Sequence, residues 1–136
     1  MKTIIIGKES LLTKYLHNYN KKSIVFSARN HSEILNIAKF VNNQKSVNLI
    51  LNNFYPSSHI NKITTKDYEK FYNQSIIFNA KLFSKLVGNN LEKIVYSSSS
   101  SVYNSIQKDY QYTDSNNKNL YSSTKIAAEN LVYNFS

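Results

Sequence analysis

The sequence has no cysteine, one proline, two glycines and a single arginine, Arg29, among its 17 basic residues. Without cysteine there are no disulfides and no thiolate metal ligands, and no metal site is expected. With only Gly7 and Gly88, a phosphate-binding turn built from several glycines cannot be complete. No apolar run approaches the roughly 20 residues that span a bilayer. The N-terminal block Ile4-Ile5-Ile6 is too short for a signal peptide, so the cytoplasm is the expected location and no membrane partner is expected. Acidic residues are few, 8 against 17, for a net charge of +9. The lysines are scattered and form no dense cluster. The charge therefore reads as a solvated surface that favours phosphate-bearing ligands, and nucleic acid is not an expected partner.

What remains is enough for one folded domain over residues 1–136, with short apolar runs at regular intervals. Lys2 to Gly7 reads as a buried strand, and residues 10–19 as a helix capped by Ser10 with Leu11, Leu12, Tyr15, Leu16 and Tyr19 on its inner stripe. Ser23–Ala28 is the second strand. The helix His31–Asn42 follows, with Ser32 as candidate cap, and then the strand Val47–Leu51. After a loop at Pro56-Ser57-Ser58, a long helix is expected from about residue 66 to 87, with Gly88 as its C-terminal cap. Leu91–Tyr96 is the fourth strand. Residues 104–119 are polar and turn-rich, and a last helix runs from Tyr121 to Phe135 with Ala127, Ala128, Leu131, Val132 and Phe135 on one stripe. This alternation predicts an α/β, Rossmann-like, doubly wound parallel sheet with helices on both faces.

Ligands of such folds sit at the carboxyl ends of the strands, and four candidates fall there. After the first strand, Gly7-Lys8-Glu9-Ser10-Leu11-Leu12-Thr13 occupies the place of a glycine-rich dinucleotide turn. Ser10 and Thr13 stand at the other two glycine positions, and the same residues suit a plain capped turn. Arg29, at the end of the second strand, is placed for a ribose 2′-phosphate and favours NADP over NAD; it also reads as an ordinary surface arginine. Asn52 and Asn53 close the third strand. Tyr121-Ser-Ser-Thr-Lys125 puts a phenol and an ammonium on one helical face, where the cation favours phenolate and suits Tyr121 to proton transfer. Ser97 to Ser101, after the fourth strand, offers hydroxyls that could steady a developing negative charge, or a simple serine turn.

At two of these blocks the sequence resembles the extended short-chain dehydrogenase/reductases, the NAD-dependent epimerase/dehydratase family that modifies nucleotide sugars. Val95-Tyr-Ser-Ser-Ser-Ser-Ser-Val-Tyr103 is similar to the family's strand-end block. Leu120-Tyr-Ser-Ser-Thr-Lys-Ile-Ala-Ala-Glu129 is similar to its Tyr-Lys helix, and Asn73 matches an Asn of the preceding helix. The resemblance implies Tyr121 as general acid/base, with Lys125 lowering its pKa and holding the nicotinamide ribose. It implies Ser99 at the substrate oxygen and Asn73 as supporting member. Gly7, Ser10, Leu11, Leu12, Arg29, Asn52, Asn53 and Lys125 would contact the cofactor, NADP or NAD. Hydride transfer at a carbon of a nucleotide sugar is the implied reaction. The chain is expected to be the cofactor-binding half alone, without the last strands and the substrate lobe. It would then have little turnover by itself, and a homo-oligomer, or a complementing chain that supplies the missing lobe, is the expected partner alongside a nucleotide-sugar substrate. A catalytically inactive dinucleotide-binding or regulatory module, or a fragment of a split or disrupted enzyme, is the alternative.

Overall fold

The structure, a computed structural model, describes residues 1–53, 67–99, 102 and 120–135. The loop at Pro56-Ser57-Ser58, Ser100, Ser101, Tyr103 and the polar segment 104–119 lie outside the described residues.

Four strands, β1 (Lys2–Ile6), β2 (Ile24–Phe26), β3 (Val47–Leu51) and β4 (Leu91–Tyr96), form one parallel sheet in the order β2-β1-β3-β4. Ile4, Ile6, Val47, Leu49 and Leu51 are fully buried, as strands covered by helices require. The order reverses at β1: the chain steps outward to β2, then crosses back to β3 on the other side. Right-handed crossovers then place the first helix, α1 (Leu11–Tyr19), on one face and the later helices on the opposite face.

That second face carries the core. The helix α2 (Ile34–Asn42) buries Ile34, Ile37, Ala38 and Val41 against the strands. The helix α3 (Tyr68–Tyr72) runs through a π turn (Asn73–Ile77) into α4 (Phe78–Phe83), which adds Phe78, Leu82 and Phe83. The helix α5 (Leu120–Phe135) adds Val132, and its Phe135 ring stacks on Phe83 at 4.2 Å. Asn90 donates to the carbonyls of Val41 and Gln44, tying the end of α2 to the start of β4.

Several boundaries differ from the expected ones. Ser32 is not the cap of the second helix. Asn30 accepts from both the N–H and the hydroxyl of Ser32 and starts a 3-10 turn (His31–Glu33) ahead of α2. The second strand is shorter than Ser23–Ala28, because Ser23 is held in the preceding turn by hydrogen bonds to the Asn20 carbonyl. The long helix ends at Phe83, where Ser84 is the C-cap. Gly88, at φ +83°, instead starts the turn into β4, with Leu91 N–H donating to its carbonyl.

The largest departure is α1. The expected inner stripe faces solvent: Leu11 and Tyr15 are each 66% exposed and Tyr19 is 95% exposed, whereas Thr13 is buried. The Asn52 side-chain amide donates to Ser10 Oγ at 2.8 Å and to Thr13 Oγ1 at 2.9 Å, which fixes the rotation of the helix with its hydroxyl side toward the sheet. On this face Ile5 is buried, but Val95 on β4 is half exposed.

Candidate active site

At the carboxyl end of β1, Gly7 adopts φ +117°, and a Cβ there would stand 2.2 Å from the Asn52 carbonyl oxygen. Only glycine allows this close approach of the β1 turn to the end of β3. The turn continues with Gly7 and Lys8 N–H groups donating to the Phe26 carbonyl and Ser10 N–H to Gly7. Ser10 is the N-cap of α1 by backbone geometry, but its side chain bonds no helix N–H; Asn52 holds it instead. Ser10 and Thr13, at the two glycine positions, are thus joined to Asn52 in one polar cluster. Leu11 and Leu12 point to solvent.

At the end of β2, Ser27 Oγ donates to Glu9 Oε1 at 2.8 Å, and Arg29 Nε lies 3.9 Å from the same oxygen. Arg29 therefore stands at the strand end, as expected, beside an acid from the neighbouring turn.

Asn53, at the end of β3, is buried and donates to the Gln74 carbonyl and to Asn79 Oδ1; Asn79 in turn donates to the Ser75 carbonyl. These side-chain amides take backbone acceptors out of the regular helical ladder, which accounts for the π turn. Phe78 N–H then reaches back to the Asn73 carbonyl, which also accepts from His31 Nε2 at 3.0 Å. A carbonyl only accepts, so Nε2 carries the proton. Asn73 is thereby fixed at the head of the π turn, and its side chain faces Glu69 at 3.5 Å.

At the end of β4, Lys125 is buried, and its ammonium donates to the Ser97 carbonyl at 2.5 Å. The same nitrogen lies 5.0 Å from the Tyr96 ring centroid and 5.9 Å from that of Tyr121, both within cation–π range. Burial pushes the Lys125 pKa down to about 8, with the Glu129 carboxylate opposing. The Tyr96 phenol is pushed well above its usual value by burial first, then by Glu129 and Tyr121, so it stays protonated. Ser99 is half-buried beyond the strand end, where its carbonyl accepts from Val102 N–H.

Tyr121 and Lys125 are therefore brought together, and the Ser97 carbonyl holds the lysine at the strand end. Tyr96, Glu9, His31 and Asn79 were not singled out from the sequence. For Tyr96 the only signal was its place directly before the serine block. Glu9 was hidden inside a turn read for its missing glycines.

A parallel sheet whose order reverses at β1, with Gly7, Arg29, Asn52, Asn53 and Lys125 at the carboxyl ends of the strands, defines a doubly wound α/β fold of the dinucleotide-binding type. The model of the NAD dependent epimerase/dehydratase family matches residues 10–136, nearly the whole chain, and the chain belongs to that family. No curated protein matches the sequence. Among solved structures, Pal from Bacillus thuringiensis is 14% identical with a TM-score of 0.72; the match covers 99% of this chain and 51% of that one. UDP-glucuronic acid 4-epimerase from Bacillus cereus in complex with NAD is 16% identical with a TM-score of 0.70, at 99% and 51% coverage. A short-chain dehydrogenase/reductase superfamily protein from Agrobacterium tumefaciens with bound NAD is 12% identical with a TM-score of 0.69, at 97% and 44%. The chain thus spans about half the length of these structures. No described helix is long and apolar enough to cross a membrane.

Proposed function

We propose that the chain is the cofactor-binding half of a nicotinamide-dependent enzyme that transfers hydride at a carbon of a nucleotide sugar. The observation that carries this reading is Lys125, buried at the end of β4 with its ammonium under the Tyr121 ring. Beside this enclosed cation, Tyr121 is placed to take a proton from a sugar hydroxyl and return it. When bound, the dinucleotide supplies the hydride acceptor and donor. Ser10, Arg29 and Asn52, at the carboxyl ends of β1, β2 and β3, are the chain's own groups toward it, with Gly7 letting the first turn lie low. Lys125 would also reach the nicotinamide ribose and Ser99 the substrate oxygen, and Asn73, in the π turn, would be the fourth, supporting member. Arg29 favours NADP through a 2′-phosphate. Epimerase, dehydratase and reductase chemistry all use these groups. The half-exposed Val95 supports a partner on that face of the sheet, a second copy or a complementing chain.

A second reading, a dinucleotide-binding module without catalysis, is favoured by the two hydroxyl residues that stand where the turn would carry glycines. One comparison separates the readings. The melting temperature is measured with and without NADH and NADPH, and turnover of nucleotide sugars is followed by chromatography of the sugar product in the full assembly. A ligand at about a hundred times its Kd adds roughly 2.7 kcal/mol to folding stability, a readable shift. Tyr121→Phe is expected to keep that shift and to lose turnover by about 10²–10⁴-fold. Undiminished turnover in Tyr121→Phe would remove Tyr121 from the chemistry. A shift without any turnover in the wild type would support the module.

A further inference from the structure

The turn after β1 and the end of β2 bring together three polar side chains, of which only Arg29 has a role in the reading above. Glu9 Oε1 accepts from Ser27 Oγ at 2.8 Å and sits 3.9 Å from Arg29 Nε, and Ser27 Oγ also accepts from the Arg29 N–H at 3.3 Å. We propose that Glu9 is a specificity-determining residue of the cofactor site, which accepts from a ribose 2′-hydroxyl and opposes the 2′-phosphate that Arg29 alone would attract. The proposal rests on the reading of a dinucleotide across the strand ends and concerns which dinucleotide that is.

In a doubly wound fold the adenosine ribose falls at the end of the second strand, and an acid there selects the free hydroxyl while an arginine selects the phosphate. In this chain the two groups come from neighbouring strand ends: the arginine from the end of β2, the acid from the β1 turn. Their separation leaves the pair loose, with the arginine side chain 61% exposed and the glutamate 35%. Neither is used up by the other. A carboxylate has about four lone-pair sites, of which Ser27 occupies one, so a hydroxyl donor can still be accepted. A 2′-phosphate brings close to two negative charges and only acceptor oxygens at neutral pH. It would gain the Arg29 guanidinium and meet the Glu9 carboxylate at the same place. Arginine and glutamate cancel in net charge, so the site loses the cationic excess that a phosphate requires. Ser27 orients the carboxylate by its hydrogen bond and keeps Glu9 at the strand end.

The test is a pair of dissociation constants, for NADH and for NADPH, measured by calorimetry on the wild type, Glu9→Gln and Arg29→Gln. Glu9→Gln is expected to shift the ratio of the two affinities toward NADPH by about tenfold or more, because it removes a charge and keeps the shape. Arg29→Gln is expected to shift it the other way. Gln at position 9 can still accept from Ser27, so the melting temperature of the unliganded variant should match the wild type, and a general loss of structure would move both affinities together. An unchanged ratio in Glu9→Gln, with both cofactors still bound by the wild type, overturns the role of Glu9 and leaves the cofactor reading intact. A wild type that binds neither cofactor overturns both.

Discussion

Gly7 shows how much a single backbone position can decide. Its positive φ and the 2.2 Å approach of the Asn52 carbonyl exclude any Cβ, and both the β1–β3 contact and the direction of the following turn depend on it. Gly7→Ala is therefore expected to cost at least about 2 kcal/mol of stability in urea unfolding, from strain at this φ plus displacement of the end of β3. The missing glycines were legible in the sequence, and so was Gly7 as the survivor. What replaced the others was not. Ser10 and Thr13 are joined by the amide of Asn52, 39 residues or more along the chain, and no local pattern reports a contact that only strand pairing creates. Arg29 was legible as the lone guanidinium at a strand end; the Glu9 beside it needed two strand ends to be parallel neighbours.

At the scale of elements, the order of strands and helices followed from the spacing of apolar runs, whereas helix ends and helix orientation did not. The expected inner stripe of α1 was a real apolar pattern, and the helix turned it outward because its hydroxyl side was hydrogen-bonded to β3. Tyr121 and Lys125, four residues apart on α5, were placed on one face by helix geometry alone, and they do share it. Burial of Lys125 has a pH signature. Its folded pKa, about 8, lies below its ordinary value near 10.5, so between these limits the unfolded chain holds a proton that the folded chain releases. Stability contributed at this position therefore rises with pH across that window and is lowest below pH 8. Lys125→Met removes the titrating group, and the pH profile of urea midpoints is expected to lose its rise between about pH 8 and 10.5 relative to the wild type.

On the scale of the whole molecule, the two faces of the sheet are unequal. One carries α2, α3, α4 and α5 around a continuous core; the other carries α1 and leaves Val95 half exposed. On α1, Leu11, Tyr15 and Tyr19 are exposed as well. Exposed apolar side chains of this kind favour association. Replacing Leu11 and Tyr15 together by lysine is expected to change stability by no more than about 0.5 kcal/mol per site, since neither packs inward. It should lower the sedimentation-equilibrium mass if that surface is where copies meet. An unchanged mass would place any contact elsewhere. The class of fold was readable from the alternation of elements, but the imbalance between its faces was not, because it depends on which way a single helix rolls.

The π turn between α3 and α4 holds one residue more than an α-helical turn would, and in that respect it is a length feature. Substitutions around it act by degrees; a change in residue count does not. Removing one residue from 73–77 would let the ladder close as an ordinary helix, and because a π turn spends its extra residue within one full turn, α3 and α4 would keep nearly the same facing. Phe78 and Leu82 would keep their places in the core, while the carbonyls of Gln74 and Ser75 would return to the helical ladder and leave Asn53 and Asn79 without these acceptors. A deletion there removes the seat of two buried amides in a single step and leaves the packing around it standing.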